Sequence, residues 1–383
     1  MSDYCNKFSA PERTCFTKQD TKAIKGAAIL LMLYHHLFAF PKRIATDIIY
    51  TPMFTIRGIN SAYILGLFGK TCVALFLFLG GYGIYLSYQS NVTNVTTIDK
   101  YELTGDFCIS KLKSLYKRFW KVFIIMIPVA LFFGDSSVST SLDKLFWNFS
   151  GLDITFNREW WFLTPYLILT FCFPLIAQFV NRNHTNPVTD LFIIALFNTF
   201  VIYLLPDILN TNLLSNFSHT KAWSRLYTCA EWSPCFIVGC VFARWGIMNE
   251  IKNRLSSNFA RTFVCALILI IMVPLRYKIH VGMAYDFAFA PVICICLTAV
   301  LAPFIGSRIR WVLELIGERS TDIWLIHSFY CYHLCQRLVF APRFSILIVL
   351  WLLILSLLTS IAIDQLFKLL NFALKGLRDD LHC

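Results

Sequence analysis

Two adjacent histidines, His35 and His36, lie inside an apolar run at residues 20–40, DTKAIKGAAILLMLYHHLFAF, whose entrance carries Lys22 and Lys25. Imidazole is the side chain most often used as a general base near neutral pH, and ionisable groups in a membrane-length apolar run are functional by default. Lys25 and His36 are eleven residues apart, about three helical turns and about 16 Å of rise, so they fall on roughly one face. The spacing places Lys25 at the membrane surface and His36 near mid-depth. A cation at an aqueous mouth can hold a phosphate-bearing donor while an imidazole further in meets its reactive end, and coenzyme A has that elongated shape. A plainer reading makes Lys25 an interfacial anchor and leaves the histidines bonding between helices.

Three other stretches bear on that choice. In IGERSTDIWLIHSFYCYHL, His327 follows Ser320 by seven residues, about 10 Å of rise. With Ser320 as the N-cap of a helix, His327 reaches a depth comparable with His36 and a shared polar cavity follows; His333 reads as structural. Between residues 99 and 121, Lys111, Lys113, Lys117, Arg118 and Lys121 recur so that several share a helical face. Such a face binds anionic headgroups or a nucleotide's phosphates. At NREWWFLTPYLI, Glu159, Trp160 and Trp161 stand at a membrane boundary, either as an aromatic belt or as a sugar platform on which indole faces stack and the carboxylate bonds hydroxyls. Glu231, at the start of a later apolar run, reads as interfacial.

The elements that must position these groups are transmembrane helices. Of 383 residues 57% are hydrophobic and 15% charged, and the mean hydropathy is +0.62. The fold class is therefore all-α, a polytopic helical bundle. Ten spans are expected, at 23–40, 69–88, 119–134, 160–180, 190–206, 229–246, 262–275, 286–304, 319–340 and 344–367. On that count the side holding the N-terminus carries 22 of the 34 lysines and arginines, which puts both termini in the cytoplasm. The domains follow as a cytoplasmic segment at 1–22, a transmembrane domain at 23–367 and a cytoplasmic tail at 368–383. No cleavable signal peptide is expected, so the first span acts as a signal anchor. The net charge of +12 sits beside apolar runs, which favours membrane topology and contact with membrane lipids over nucleic acid. The fourteen cysteines show no metal-ligand spacing, and no metal is expected. Gly80, Gly81 and Gly83 allow close helix approach.

Five stretches taken in order, KGAAILLMLYHHLF at 25–38, FLFLGGYGIYL at 76–86, KRFWKVF at 117–123, EWWFLTPYLI at 159–168 and GERSTDIWLIHSFY at 317–330, resemble the bacterial family-3 membrane acyltransferases, which decorate cell-surface polysaccharides. The resemblance runs along nearly the whole chain. That family's first span carries a basic residue, usually arginine, then ten residues, then histidine; here Lys25 and His36 match it, with the charge kept and the bidentate fork lost. Glycine at position 80 stands where relatives often have serine. The resemblance implies a multi-pass protein of the cell membrane that transfers an acetyl group from cytoplasmic acetyl-CoA to a sugar hydroxyl of an extracytoplasmic or lipid-linked glycan, beside possible polysaccharide-assembly proteins. It implies catalysis by His36, with His35 and His327 as further candidates, CoA contacts from Lys25, Lys111, Lys117 and Arg118, and glycan contacts from Glu159, Trp160 and Trp161. Two other functions fit the residues: a proton-coupled carrier of a small polar solute or lipid-linked sugar, and an acyl relay to a partner enzyme.

Overall fold

The computed structural model describes residues 15–92, 97–182, 186–209, 220–255, 259–278 and 285–380. The outer parts of both expected terminal segments, 1–14 and 381–383, lie outside them. The described chain is almost wholly helical, with one two-stranded hairpin.

Helix α1 (Lys18–Phe38) opens on a capping box: the Thr17 hydroxyl accepts from the Asp20 amide at 3.2 Å and the Asp20 carboxylate accepts from the Thr17 amide at 2.7 Å. Asp20 also takes Lys252 Nζ at 2.6 Å and Arg310 Nη2 at 2.8 Å, all three side chains being nearly buried. Burial pushes its carboxyl up, but the bonds from Lys252, the Thr17 amide and Arg310 outweigh that and hold it below its ordinary value of 3.8. Past α1 a loop carries Arg43 to the hairpin Thr55–Ile56/Ile59–Asn60, whose two-residue turn has Arg57 and Gly58 at positive φ (49° and 79°). Asn60 then caps α2 (Ser61–Gly69), and Lys70 separates it from α3 (Thr71–Val92).

The rest follows in order: α4 (Thr97–Phe132), α5 (Leu142–Phe149), a 3₁₀ turn at Arg158–Phe162, α6 (Leu163–Phe171), α7 (Phe173–Val180), α8 (Pro187–Thr199), α9 (Leu205–Leu209), α10 (Lys221–Arg244), α11 (Ile247–Leu255), α12 (Phe259–Lys278), α13 (Asp286–Leu301), α14 (Arg308–Glu318), α15 (Ser320–Ser328), α16 (Gln336–Phe340) and α17 (Ser345–Asp380). π-Helical turns follow α8 and α15, at Phe200–Leu204 and Phe329–His333.

All ten expected segments are largely helical, but they are not alike. Among the described residues six helices are long and apolar enough to cross a membrane unaided: Ser61–Asn91, Pro187–Leu209, Lys221–Arg244, Phe259–Lys278, Asp286–Phe304 and Ser345–Lys375. The pair α6–α7, bent by 58°, makes a seventh if taken as one span. Three expected spans fall short, each for a visible reason. Helix α1 spends hydropathy on Lys25, His35 and His36; α4 carries Lys111, Lys113, Lys117, Arg118 and Lys121 through its middle; and 319–340 is broken at Leu334–Cys335. Large apolar side chains stay exposed on the outer faces, Phe263 and Ile270 of α12 and Leu358 of α17 among them, as lipid contact requires.

Two glycine pairs set the packing around the centre. A Cβ on Gly81 of α3 would strike the Phe236 carbonyl of α10, and one on Gly239 would strike the Phe78 carbonyl, so these helices touch backbone to backbone. Gly26 and Gly317 do the same for α1 and α14, through the Leu313 and Lys22 carbonyls. Gly83, by contrast, has open space around it. The helices gathered around α1 leave a cavity beside it.

Candidate active site

The cavity has a volume of about 720 Å³ and runs along α1 from Lys25 to Arg43, with walls from α3, α4, the 158–162 turn, α6, α10 and α15. The last turn of α1 places both histidines in its lining and turns them to different partners. His35 Nδ1 lies 2.9 Å from the Gly66 carbonyl of α2, so it donates there. His36 Nδ1 lies 3.3 Å from Glu159 Oε2, close enough for an ion pair but off the line of a hydrogen bond. The His36 ring packs on His327, centroid to centroid 4.7 Å. The two rings meet, but the expected shared cavity is not found: His36 lines the cavity, while His327 is fully buried behind it and does not line it.

Glu159 is fixed before it meets His36. Asn157 caps the 3₁₀ turn, accepting from the Glu159 amide at 3.1 Å, and donates to Ser328 Oγ at 2.7 Å. Trp324 Nε1 donates to the Glu159 carbonyl at 3.2 Å, and Trp160 Nε1 to the Leu325 carbonyl at 3.0 Å. These bonds dock the turn on α15. The second carboxylate oxygen takes Arg43 Nη1 at 2.7 Å, while the Arg43 guanidinium lies over the Phe40 and Tyr332 rings. His327 Nδ1 donates to the Trp324 carbonyl at 2.8 Å, which leaves its buried Nε2 with no partner among the described residues. The π turn after α15 then swings Tyr332 so that its hydroxyl donates to the His36 carbonyl.

At the other end Lys25 lines the cavity with no ion pair among the described residues, joined by Lys111, Arg118, Ser320 and Thr321. Arg118 is already committed to Asp322, at 3.1 Å. Lys117 is exposed on α4 and does not line the cavity, so the basic run divides by helical face. Trp161 lines the cavity, whereas Trp160 is fully buried behind it against Phe119 and Phe329. The tandem indoles therefore split into a wall residue and a core residue. Ser320 is the first residue of α15 and faces the cavity; it is not a cap, since Arg319 precedes the helix in that position. His333 bonds Asp135 Oδ2 at 2.6 Å, the structural role expected of it.

Sequence reasoning passed over Arg43, Lys70, Tyr166, Trp232 and Trp324, and placed Glu231 at the interface although it lines the cavity. One signal was available: Thr228, Glu231 and Trp232 follow the i, i+3, i+4 spacing of a single helical face. Nothing local marked Arg43, which reads as one loop charge among several. Among the described residues no three His, Cys, Asp or Glu side chains are grouped to hold a metal.

The cavity of this helical protein is thus lined by His35 and His36 and, at one end, by the cations Lys25 and Lys111. The sequence model of the acyltransferase family 3 domain matches residues 21–365, and the chain belongs to that family. Neither the curated proteins nor the solved structures contain a significant match to it.

Proposed function

We propose that this acyltransferase moves an acetyl group from acetyl-CoA to a sugar hydroxyl of an extracytoplasmic or lipid-linked glycan. The polypeptide crosses the cell membrane ten times with both termini in the cytoplasm, and the Lys25 end of the cavity opens to the cytosol. Lys25 and Lys111 hold the phosphates of CoA and the pantetheine arm lies along α1. The observation that carries the reading is the juxtaposition at the cavity's far end: His36 beside Glu159 at 3.3 Å and His327 at 4.7 Å, about three turns from an unpaired lysine.

In this scheme Glu159 orients His36 so that Nδ1 carries the proton and Nε2 keeps its lone pair, a contact that tightens when substrate is bound. His36 Nε2 takes the proton of the acceptor hydroxyl as its oxygen attacks the thioester carbonyl. The C–O bond forms, the C–S bond breaks, and the thiolate leaves with that proton as CoA–SH. His327, packed against the His36 ring from outside the cavity, assists by holding that ring in place. Glu159 is thereby a positioning residue for His36, and Trp161 is left to the acceptor.

The test is His36→Ala in membranes supplied with radiolabelled acetyl-CoA, with protein amount held equal. The expected result is a loss of label in host glycan of about 100-fold or more. Undiminished labelling would sink the assignment, and a protein that leaves no acetyl ester on any glycan would be a carrier instead. Dependence of acetyl-CoA consumption on a second protein would mark an acyl relay.

A further inference from the structure

Beyond the histidines, the cavity continues into a region that the transfer step does not use. Its wall is made by Trp161 and Trp232, whose ring centroids are 5.9 Å apart at 39°, with Thr228 and Glu231 on the same face of α10 and Lys70 opposite. Trp232 is 1% exposed, and its indole N–H finds no acceptor among the described residues. A buried donor without a partner is costly, so this one calls for an oxygen from something that enters the cavity. Glu231 and Lys70 lie within Coulombic reach of each other, and Lys70 also faces Asp286, which is paired with Arg276 at 3.0 Å. Of the lining side chains here Lys70 and Glu231 are of opposite sign, and Arg158, on the same turn as Trp161, adds a cation.

We infer that Trp161, Trp232, Glu231 and Lys70 form the acceptor subsite, and that its ligand is an uncharged hexose unit. This rests on the acyltransferase reading and names its second substrate. Indole faces pack on the C–H face of a pyranose; a carboxylate accepts from two of its hydroxyls, and an ammonium and an indole N–H donate to the remaining oxygens. A phosphate or carboxylate ligand would meet Glu231 as a like charge. The subsite also adjoins the chemistry, because Trp161 is two residues from Glu159 on one short turn docked against α15.

The experiment uses membranes carrying the full-length protein, radiolabelled acetyl-CoA and p-nitrophenyl hexopyranosides (gluco, galacto and manno) as acceptors, with hexuronic acid glycosides beside them. Wild-type protein should label a neutral glycoside in preference to its uronic counterpart. Glu231→Gln and Trp232→Phe should each raise the KM for that glycoside about tenfold while the KM for acetyl-CoA stays put. Trp232→Phe keeps the ring and removes only the donor, so it separates lost hydrogen bonding from lost packing. Unchanged glycoside KM in both variants, a shift in acetyl-CoA KM instead, or preference for the uronic acceptor would overturn the subsite. If no glycoside is labelled while host glycan still is, and that labelling needs His36, the hexose inference falls and the acyltransferase scheme stands. If host glycan labelling does not need His36, both fall.

Discussion

The two ends of the cavity solve opposite electrostatic problems. Around Lys25 the cations outnumber their partners: Lys25 has no ion pair, Lys111 lies over the Phe107 ring at 5.0 Å, and of the cationic side chains at that end Arg118 is held by an acid. Around Glu231 the lining brings an acid and a base together, Glu231 and Lys70, with the Arg276–Asp286 ion pair near Lys70 and the Trp161–Trp232 ring pair beside them. Uncompensated positive charge at a cavity mouth favours an anionic guest, whereas an aromatic wall with charges of both signs suits a neutral polar one. In the proposed scheme the donor and the acceptor are told apart by charge.

The largest effect should come from the junction. Glu159→Gln is expected to lower kcat about 10- to 100-fold with both KM values little moved, and Glu159→Asp to recover part of it. A rise in sugar KM with kcat intact would make Glu159 a glycan ligand and blur the boundary between the two ends. Next, Lys25→Ala should raise the KM for acetyl-CoA about tenfold and leave the sugar KM alone, with Lys25→Arg close to wild type. If the loss were absent with dephospho-CoA, the lysine meets the 3′-phosphate; equal loss with both donors places it on the pyrophosphate.

Asp20 tests whether the donor end is held from behind. Asp20→Asn leaves Lys252 and Arg310 buried without their shared acid, which should cost roughly 3 kcal/mol or more and lower the thermal midpoint without a selective change in either KM. Because the folded carboxyl titrates below its ordinary 3.8, its contribution is full above that pH and fades as pH falls through the depressed value. The gap between wild type and variant should therefore be complete at pH 7 and close only in acid. The smallest expected effect is at Gly80, where an added Cβ would lie 3.1 Å from Tyr166 Cε2, the movable edge of a ring in the cavity lining. Gly80→Ser should slow transfer of longer acyl chains more than acetyl, read as a ratio of kcat/KM between butyryl-CoA and acetyl-CoA.

Helix identity and the comparable depth of His36 and His327 were legible in the sequence because apolar run length and the 1.5 Å rise are local properties, whereas His327's place behind the cavity wall was not. The division of REWW was not. Whether an indole faces a cavity or a core depends on the 3₁₀ turn and on Asn157 reaching Ser328, 171 residues away. Arg43 was hidden for the same reason, since its partner Glu159 is 116 residues distant. Glu231 shows the opposite failure: its helical spacing was readable, but position near the start of an apolar run suggested the interface. Depth assigned by counting from a helix end goes astray when neighbouring helices enclose that end.

The π turn at Phe329–His333 carries one residue more than an α-helical turn would need. That surplus lets a single short segment reach two opposite walls, Tyr332 towards the backbone of His36 and His333 towards Asp135. Excising one residue there would regularise the helix and rotate everything beyond it by about 100°. The shortened chain would lose the strut that ties Tyr332 to the backbone of His36.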